Sequence, residues 1–157
     1  MGGNFSLLNG QLANSLVRLN ANGTRDTSFA PALSSYSNVR TLLLQPDGKV
    51  LATGVLGFGA INTGIVRLTA TGSVDTGFTA PAFTLDNGGT FFDTNALLQP
   101  DGKIILSISS AANGAAKLVR LQPNGAQDTS FAMVNGPDDS PEAIDHGRWQ
   151  PTDRRQL

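Results

Sequence analysis

"LQPDGK" stands at Leu44–Lys49 and again at Leu98–Lys103, 54 positions further on. In each copy apolar residues flank a Pro-Asp-Gly triplet: "LLLQPDGKVLATG" around the first, "LLQPDGKIIL" around the second. Proline presets φ for the first turn position, aspartate suits the second, and glycine takes the left-handed conformation. That chemistry predicts a β-hairpin with a three-residue loop closed by a glycine bulge. The register follows: Gln45 opposite Lys49, Leu44 opposite Val50, Leu43 opposite Leu51, and likewise Leu98 opposite Ile104 and Leu97 opposite Ile105. The flanking runs are apolar at successive positions (Leu42, Leu43, Leu44), so these strands are expected to be covered on both faces.

A second phrase recurs three times, as "VRLNANGTRDTSF" at Val17–Phe29, "VRLTATGSVDTGF" at Val66–Phe78 and "VRLQPNGAQDTSF" at Val119–Phe131. Its arginines are Arg18, Arg67 and Arg120, 49 and 53 residues apart. Pro123-Asn124-Gly125 repeats the Pro-Asp-Gly chemistry, and Ala21-Asn22-Gly23 and Ala70-Thr71-Gly72 are variants of it. The same turn pairs Asn20 with Thr24 and sets Arg18 across from Asp26, Arg67 across from Asp75, and Arg120 across from Asp128. An opposite-charge cross-strand pair stabilises by roughly 0.2–1 kcal/mol. The recurring Arg and Asp therefore have a structural reason to be present.

The two phrases alternate, giving a unit of about 50 residues with two hairpins, or four antiparallel strands. That is the size of a β-propeller blade. Phe29, Phe78 and Phe131 are the expected packing anchors between blades. A β-solenoid fits less well, because its coils use parallel strands, and a β-sandwich needs no such regular period. The expected fold is all-β: a β-propeller fragment of about two and a half four-stranded antiparallel blades. Residues 1–34 read as the second half of a blade, with its hairpin at Ser15–Phe29. Residues 35–82 and 83–134 read as complete blades, and 135–157 as an irregular tail.

The pair "LQPDGK(V/I)(L/I)" and "RLxxxGxxDTxF" resembles the bacterial delta-60 repeat family over residues 2 to about 134. "GGNFSLLNGQLANSLVRLNANGTRDTSFAP" at Gly2–Pro31 looks like the second half of such a repeat. The resemblance implies propeller blades arrayed in large secreted or cell-surface bacterial proteins, and it offers no catalytic residues to transfer. The chain departs from the pattern at Val55–Ile61, where "VLGFGAI" replaces the usual Gly-Asn-Phe loop, and at Ser107–Gly114. The phrase Met1-Gly2-Gly3-Asn4-Phe5 begins in mid-repeat, where relatives would read Val-Gly-Gly-Asn-Phe. "SPEAIDHGRWQPTDRRQL" at the other end is expected to be a degenerate fourth repeat or the product of a frameshift. It lacks alternating apolar strands and a Pro-Asp-Gly turn, and is expected to pack poorly.

Composition sets the function classes. The chain has 157 residues, 39% apolar and 15% charged, with 18 glycines and 8 prolines, and its formal net charge is −1. No basic footprint for nucleic acid is present. No apolar run reaches the roughly 18 residues of a membrane span, and the first residues lack a signal peptide's basic start and apolar stretch. Zero cysteines exclude disulfides and thiolate metal sites.

Asp26, Asp47, Asp75, Asp101 and Asp128 are the candidate calcium ligands. They read better as turn aspartates and hairpin partners, because no dozen-residue window gathers three or more oxygen ligands. His146 stands alone and outside the repeats. There is no G-x-S-x-G elbow, and Gly57–Ala60 and Gly88–Thr90 are not phosphate loops, since no lysine follows. Tyr36, Phe58, Phe91 and Phe92 fall in expected inter-hairpin loops, as rim residues or as plugs between blades.

The expectation is therefore a non-catalytic scaffold or binding module with no catalytic, cofactor or metal site and no cofactor. Its expected setting is the cell surface or the extracellular space, as part of a larger bacterial protein. The expected partners are the neighbouring blades of that protein and a protein or glycan of unknown identity. The alternative is a piece of an enzyme propeller, a lyase or glycosidase, whose catalytic blades lie elsewhere; the identical acidic pattern in every repeat argues against it. A spacer without any ligand is the third reading.

Overall fold

A computed structural model describes residues 1–58, 61–81, 93–109, 116–131 and 134–135. Nine strands and no helix are found among them. They are β1 (Leu7–Leu8), β2 (Gln11–Leu12), β3 (Asn38–Leu44), β4 (Val50–Phe58), β5 (Ile61–Leu68), β6 (Asp93–Leu98), β7 (Ile104–Ser109), β8 (Ala116–Leu121) and β9 (Val134–Asn135). Three antiparallel sheets result, ordered β1-β2, β3-β4-β5 and β6-β7-β8-β9.

Both Pro-Asp-Gly hairpins have the register read from the sequence. Leu44 pairs with Val50 and Leu43 with Leu51, while Leu98 pairs with Ile104 and Leu97 with Ile105. The loops close through the Gln45 and Gln99 amides, which donate to the Lys49 and Lys103 carbonyls at 2.8 Å. Gly48 and Gly102 sit at φ 80° and 81°, where a side chain is disfavoured. Asp47 and Asp101 each accept the amide of the lysine two residues on, at 3.1 Å.

The alternation of side chains along β4 and β5 decides how the units stack. Leu51 and Ile65 join a core cluster with Ile104, Leu106, Ile108, Val119 and Leu121 of the third unit. Their neighbours Ala52 and Val66 point the other way, into a cluster with Leu16, Phe29 and Leu33 of the first unit. The middle sheet is thus buried on both faces, as successive apolar residues require. Thr53, fully buried, donates its hydroxyl to the Thr94 carbonyl at 2.6 Å and ties the two larger sheets together at a polar point. Phe29 and Phe78 lie in the first and second junctions, respectively, as the anchors expected there.

In every unit the return arm of the second hairpin, the expected fourth strand, is reduced to a single bridge. Leu19 bridges Arg25, Leu68 bridges Val74 and Leu121 bridges Gln127. The cause lies one residue on. Each Asp of the Asp-Thr-x-Phe phrase returns its amide to the opposing arginine carbonyl at 2.8–2.9 Å. Its carboxylate then accepts the amide two residues later: Ser28 to Asp26, Gly77 to Asp75 and Ser130 to Asp128. This Asx turn competes with the ladder and bends the chain out of the sheet. The middle sheet accordingly has three strands. The third has four, the last being the two-residue β9, which pairs Val134 with Leu118 and Asn135 with Lys117.

The first unit holds more than the hairpin at Ser15–Phe29. Gly2 bridges Leu16, the Gly3 amide donates to Ser15 and the Val17 amide to Met1, both at 3.0 Å. Met1–Phe5 therefore lies beside Ser15–Val17 as β4 lies beside β5. The loop between them carries the β1–β2 hairpin, whose turn residues Asn9 and Gly10 have φ 49° and 78°, the primed turn that suits two-residue hairpins. The terminal stretch 136–157 and its His146 lie outside the described residues.

Candidate functional site

The densest polar constellation is the Arg–Asp pair, and the structure builds it three times. Arg18 Nε donates to Asp26 Oδ2 at 2.8 Å, Arg67 to Asp75 at 2.8 Å, and Arg120 to Asp128 at 2.9 Å. The register of the second hairpin places each pair, and two further contacts lock it. Each guanidinium lies over the phenylalanine of its own Asp-Thr-x-Phe phrase, 4.7–5.0 Å from the ring centre, a cation–π distance.

The two recurring phrases meet at this cluster. Lys49 Nζ reaches Asp75 Oδ2 at 3.2 Å, and Lys103 reaches Asp128 at the same distance. The lysine that ends each Pro-Asp-Gly-Lys thus neutralises the aspartate of the second hairpin in the same unit. Among the described residues Asp26 has only Arg18 as an ionic partner.

Arg18 and Arg67 also reach into the following unit. Arg18 Nη1 donates to the Ala70 carbonyl at 2.5 Å and Arg67 Nη1 to the Pro123 carbonyl at 2.7 Å. Beside them the Ala30 amide donates to Thr71 and the Thr79 amide to Asn124, both at 3.0 Å. The chain leaving the first two Asp-Thr-x-Phe phrases therefore docks on the turn of the next unit. The fit is close at Gly72 and Gly125. A Cβ at Gly72 would stand 2.9 Å from the Pro31 nitrogen, and one at Gly125 would stand 3.0 Å from the Thr79 backbone. Gly23, the same residue in the first unit, faces open space.

The electrostatics follow from these bonds. Asp26 is held below the ordinary carboxyl range chiefly by the Ser28 hydroxyl and amide, then by Arg18. For Asp75 the Gly77 amide leads, followed by Lys49 and Arg67. For Asp128 the Ser130 hydroxyl leads; burial opposes it, and Lys103, the Ser130 amide and Arg120 reinforce it. Lys49 is pushed up by Asp75 and then by Asp47. A carboxylate so fully engaged is a poor proton acceptor near neutrality, where a general base needs a pKa close to the working pH. Its oxygens are already directed at cations and amides within the chain. The cluster's chemistry is that of a clasp.

Of the other sequence candidates, Asp47 and Asp101 are turn residues, each facing its own lysine at 3.3 and 3.9 Å. Among the described residues no three His, Cys, Asp or Glu side chains gather as a metal set, and no helix is long and apolar enough to cross a membrane. Phe58 ends β4 and packs against the first core cluster rather than on a rim. Tyr36 is 55% exposed and lies against Gly57, where a Cβ would stand 2.5 Å from its ring. Phe91, Phe92 and the Gly88–Thr90 stretch lie outside the described residues. The sequence reading missed both the lysine contacts and the arginine's second bond. The recurrence of lysine after each Pro-Asp-Gly was the available signal. The sequence reading also missed the exposed cross-strand pair Leu7 and Leu12 on the β1–β2 hairpin.

A family model described as "Domain of unknown function (DUF5122) beta-propeller" matches residues 1–29, 45–78 and 99–131, together more than half of the chain. Each matched segment ends on the phenylalanine of an Asp-Thr-x-Phe phrase. No curated protein matches the chain, and no solved structure does.

Proposed function

The chain belongs to that β-propeller family, and from this premise we propose that it is a non-catalytic repeat module, a scaffold or binding platform within a larger bacterial secreted or cell-surface protein. Within the family its phrases are those of the delta-60 repeat. The units run 1–34, 35–82 and 83–134, with 135–157 a departure from the repeat. One observation carries the reading: the acidic cluster present in every unit is committed to holding hairpins and neighbouring units together. In an enzyme propeller, by contrast, carboxylates differ from blade to blade and face an open channel.

The exposed Leu7–Leu12 tip and the Tyr36 ring are the surfaces this reading offers to a protein or glycan. The test is a panel of bacterial and plant polysaccharides incubated with the purified chain. Bound sugar would be read on an array, and cleavage as new reducing ends or unsaturated products. Binding without cleavage is the expected result. Turnover by the chain would overturn the reading in favour of a lyase or glycosidase.

A further inference from the structure

The tip of the β1–β2 hairpin joins a labile sequence to an unconstrained geometry. It is Asn9-Gly10, the whole of a two-residue turn at φ 49° and 78°. Asparagine is thermolabile, because the amide nitrogen of the next residue can attack its side-chain carbonyl carbon. A following glycine has no side chain to hinder that attack and leaves the backbone free to swing toward it. Asn-Gly occurs six times in the sequence, so the dipeptide alone selects no position.

Three of the six lie within the described residues, and two of these are held from both sides. The Gly23 amide donates to the Asn20 carbonyl and the Gly125 amide to the Gln122 carbonyl, each at 2.9 Å. Asn22 Oδ1 accepts the Thr24 amide and hydroxyl at 3.1 and 2.7 Å, and Asn124 Oδ1 accepts the Ala126 amide at 3.1 Å. Nucleophile and electrophile are both engaged elsewhere. At the hairpin tip neither is. The ladder pairs Leu8 with Gln11 and leaves the Gly10 amide without an acceptor among the described residues. The Asn9 side chain has no hydrogen-bond partner among them either. Both residues are exposed, and a Cβ on Gly10 would meet nothing within 4 Å.

We propose that Asn9-Gly10 is a self-modification site, where the asparagine closes on the glycine nitrogen and is converted to aspartate and isoaspartate. Hydroxide takes the Gly10 N–H proton as that nitrogen bonds to Asn9 Cγ. The Cγ–Nδ2 bond breaks, and Nδ2 leaves as ammonia with a proton from solvent. Water then opens the resulting succinimide ring. Opening at Cγ gives aspartate; opening at the main-chain carbonyl gives isoaspartate, with the chain running through Cβ. The sum is amide plus water to carboxylate plus ammonium, with no change of oxidation state. Either product adds a negative charge to a chain whose formal net charge is −1. Isoaspartate also adds a methylene to the main chain of a turn built from two residues, which uncouples the exposed Leu7–Leu12 pair that the turn closes. The site is a one-way timer on that pair. It rests on turn geometry and not on the scaffold reading, so a finding of catalysis would leave it standing.

The test is peptide mapping by mass spectrometry of the intact chain, aged in mildly alkaline buffer beside a sample in guanidinium chloride. In the folded chain Asn9 should convert about ten- to hundredfold faster than Asn22 or Asn124, since each of those must first lose at least two hydrogen bonds. Isoaspartate should accompany aspartate at Asn9, distinguished by fragmentation at the altered bond. In denaturant the three rates should converge. Equal rates at the three positions in the folded chain would overturn the proposal. So would a preference for Asn9 that persists in denaturant, which would trace it to sequence and not to the turn. Aspartate without isoaspartate, the mark of direct hydrolysis, would overturn it as well.

Discussion

Adding one methyl group at equivalent turns should separate the backbone cost of the turn from the cost of the junction. Gly23, Gly72 and Gly125 all lie at positive φ, 82°, 91° and 93°. Alanine in the left-handed region costs about 1–2 kcal/mol per residue, and all three variants bear that cost alike. At Gly23 nothing lies within 4 Å of the new atom, so the cost ends there. At Gly72 the methyl meets the Ala30 and Pro31 backbone at 2.9–3.1 Å. These atoms are held in place by the Ala30–Thr71 hydrogen bond. Overpacking against atoms that cannot step aside typically adds 1–3 kcal/mol. Gly72→Ala should therefore cost roughly 2–5 kcal/mol and Gly23→Ala only about 1–2 kcal/mol. For a chain of this size the difference corresponds to about 2–12 °C in melting temperature. Urea and thermal unfolding followed by circular dichroism would measure it, with Gly125→Ala as a replicate of the second junction. Equal losses at Gly23 and Gly72 would refute the account of how the units dock.

The clasp makes further demands. Asp26, Asp47, Asp75 and Asp128 are all held below their ordinary values. The stability they confer is full above the unfolded value of about 3.9 and drains away as pH falls through the lower folded values. An acid titration should show unfolding beginning below about pH 4, and Asp75→Asn plus Asp128→Asn should flatten that limb. Lys49 is shifted the opposite way; its contribution is full below the unfolded value of about 10.4 and is lost as pH rises from there through the raised folded value, and a Lys49→Met variant should lack that alkaline loss. The same variant should let the Asp75 carboxyl rise toward its ordinary pKa, visible by carbon-detected NMR. Arg67→Lys should not preserve stability, since an ammonium cannot bond Asp75, reach the Pro123 carbonyl and stack on Phe78 together; a melting temperature equal to the parent's would contradict this.

Hairpin registers were legible in the sequence because Pro-Asp-Gly is local chemistry: three residues set the loop, and the loop sets every pair beyond it. The two-faced burial of β4 was legible for a similar reason, since successive apolar residues in a strand must point both ways. The Arg18–Asp26 pairing followed from counting outward from Gly23. Less legible was the loss of the fourth strand. The sequence pairs Asp26, Asp75 and Asp128 with their arginines in the ladder, whereas their carboxylates capture an amide two residues on and end it. The destination of Lys49 lay beyond local reasoning, because Asp75 is 26 residues away in sequence and adjoins it only after β4 and β5 have paired. Phe58 reads as a loop residue because "VLGFGAI" replaces the usual Gly-Asn-Phe loop, yet β4 continues through it and leaves the side chain half-buried against the first core cluster.

At the turn end of each junction, hydrogen bonds cross between units in one sense only. Arg18 and the Ala30 amide give to Ala70 and Thr71; Arg67 and the Thr79 amide give to Pro123 and Asn124. At this end one side of a unit is thus a set of donors, and the other a set of carbonyls; away from the turns the Val39 amide gives back to the Gly3 carbonyl. Such a stack has polarity, like a row of magnets. Two copies related by a two-fold axis through these turn ends would bring donors against donors or carbonyls against carbonyls and leave those groups without partners. Association that uses them must run head to tail. Heterologous contacts of that kind either close on themselves into a ring or propagate without limit into a filament.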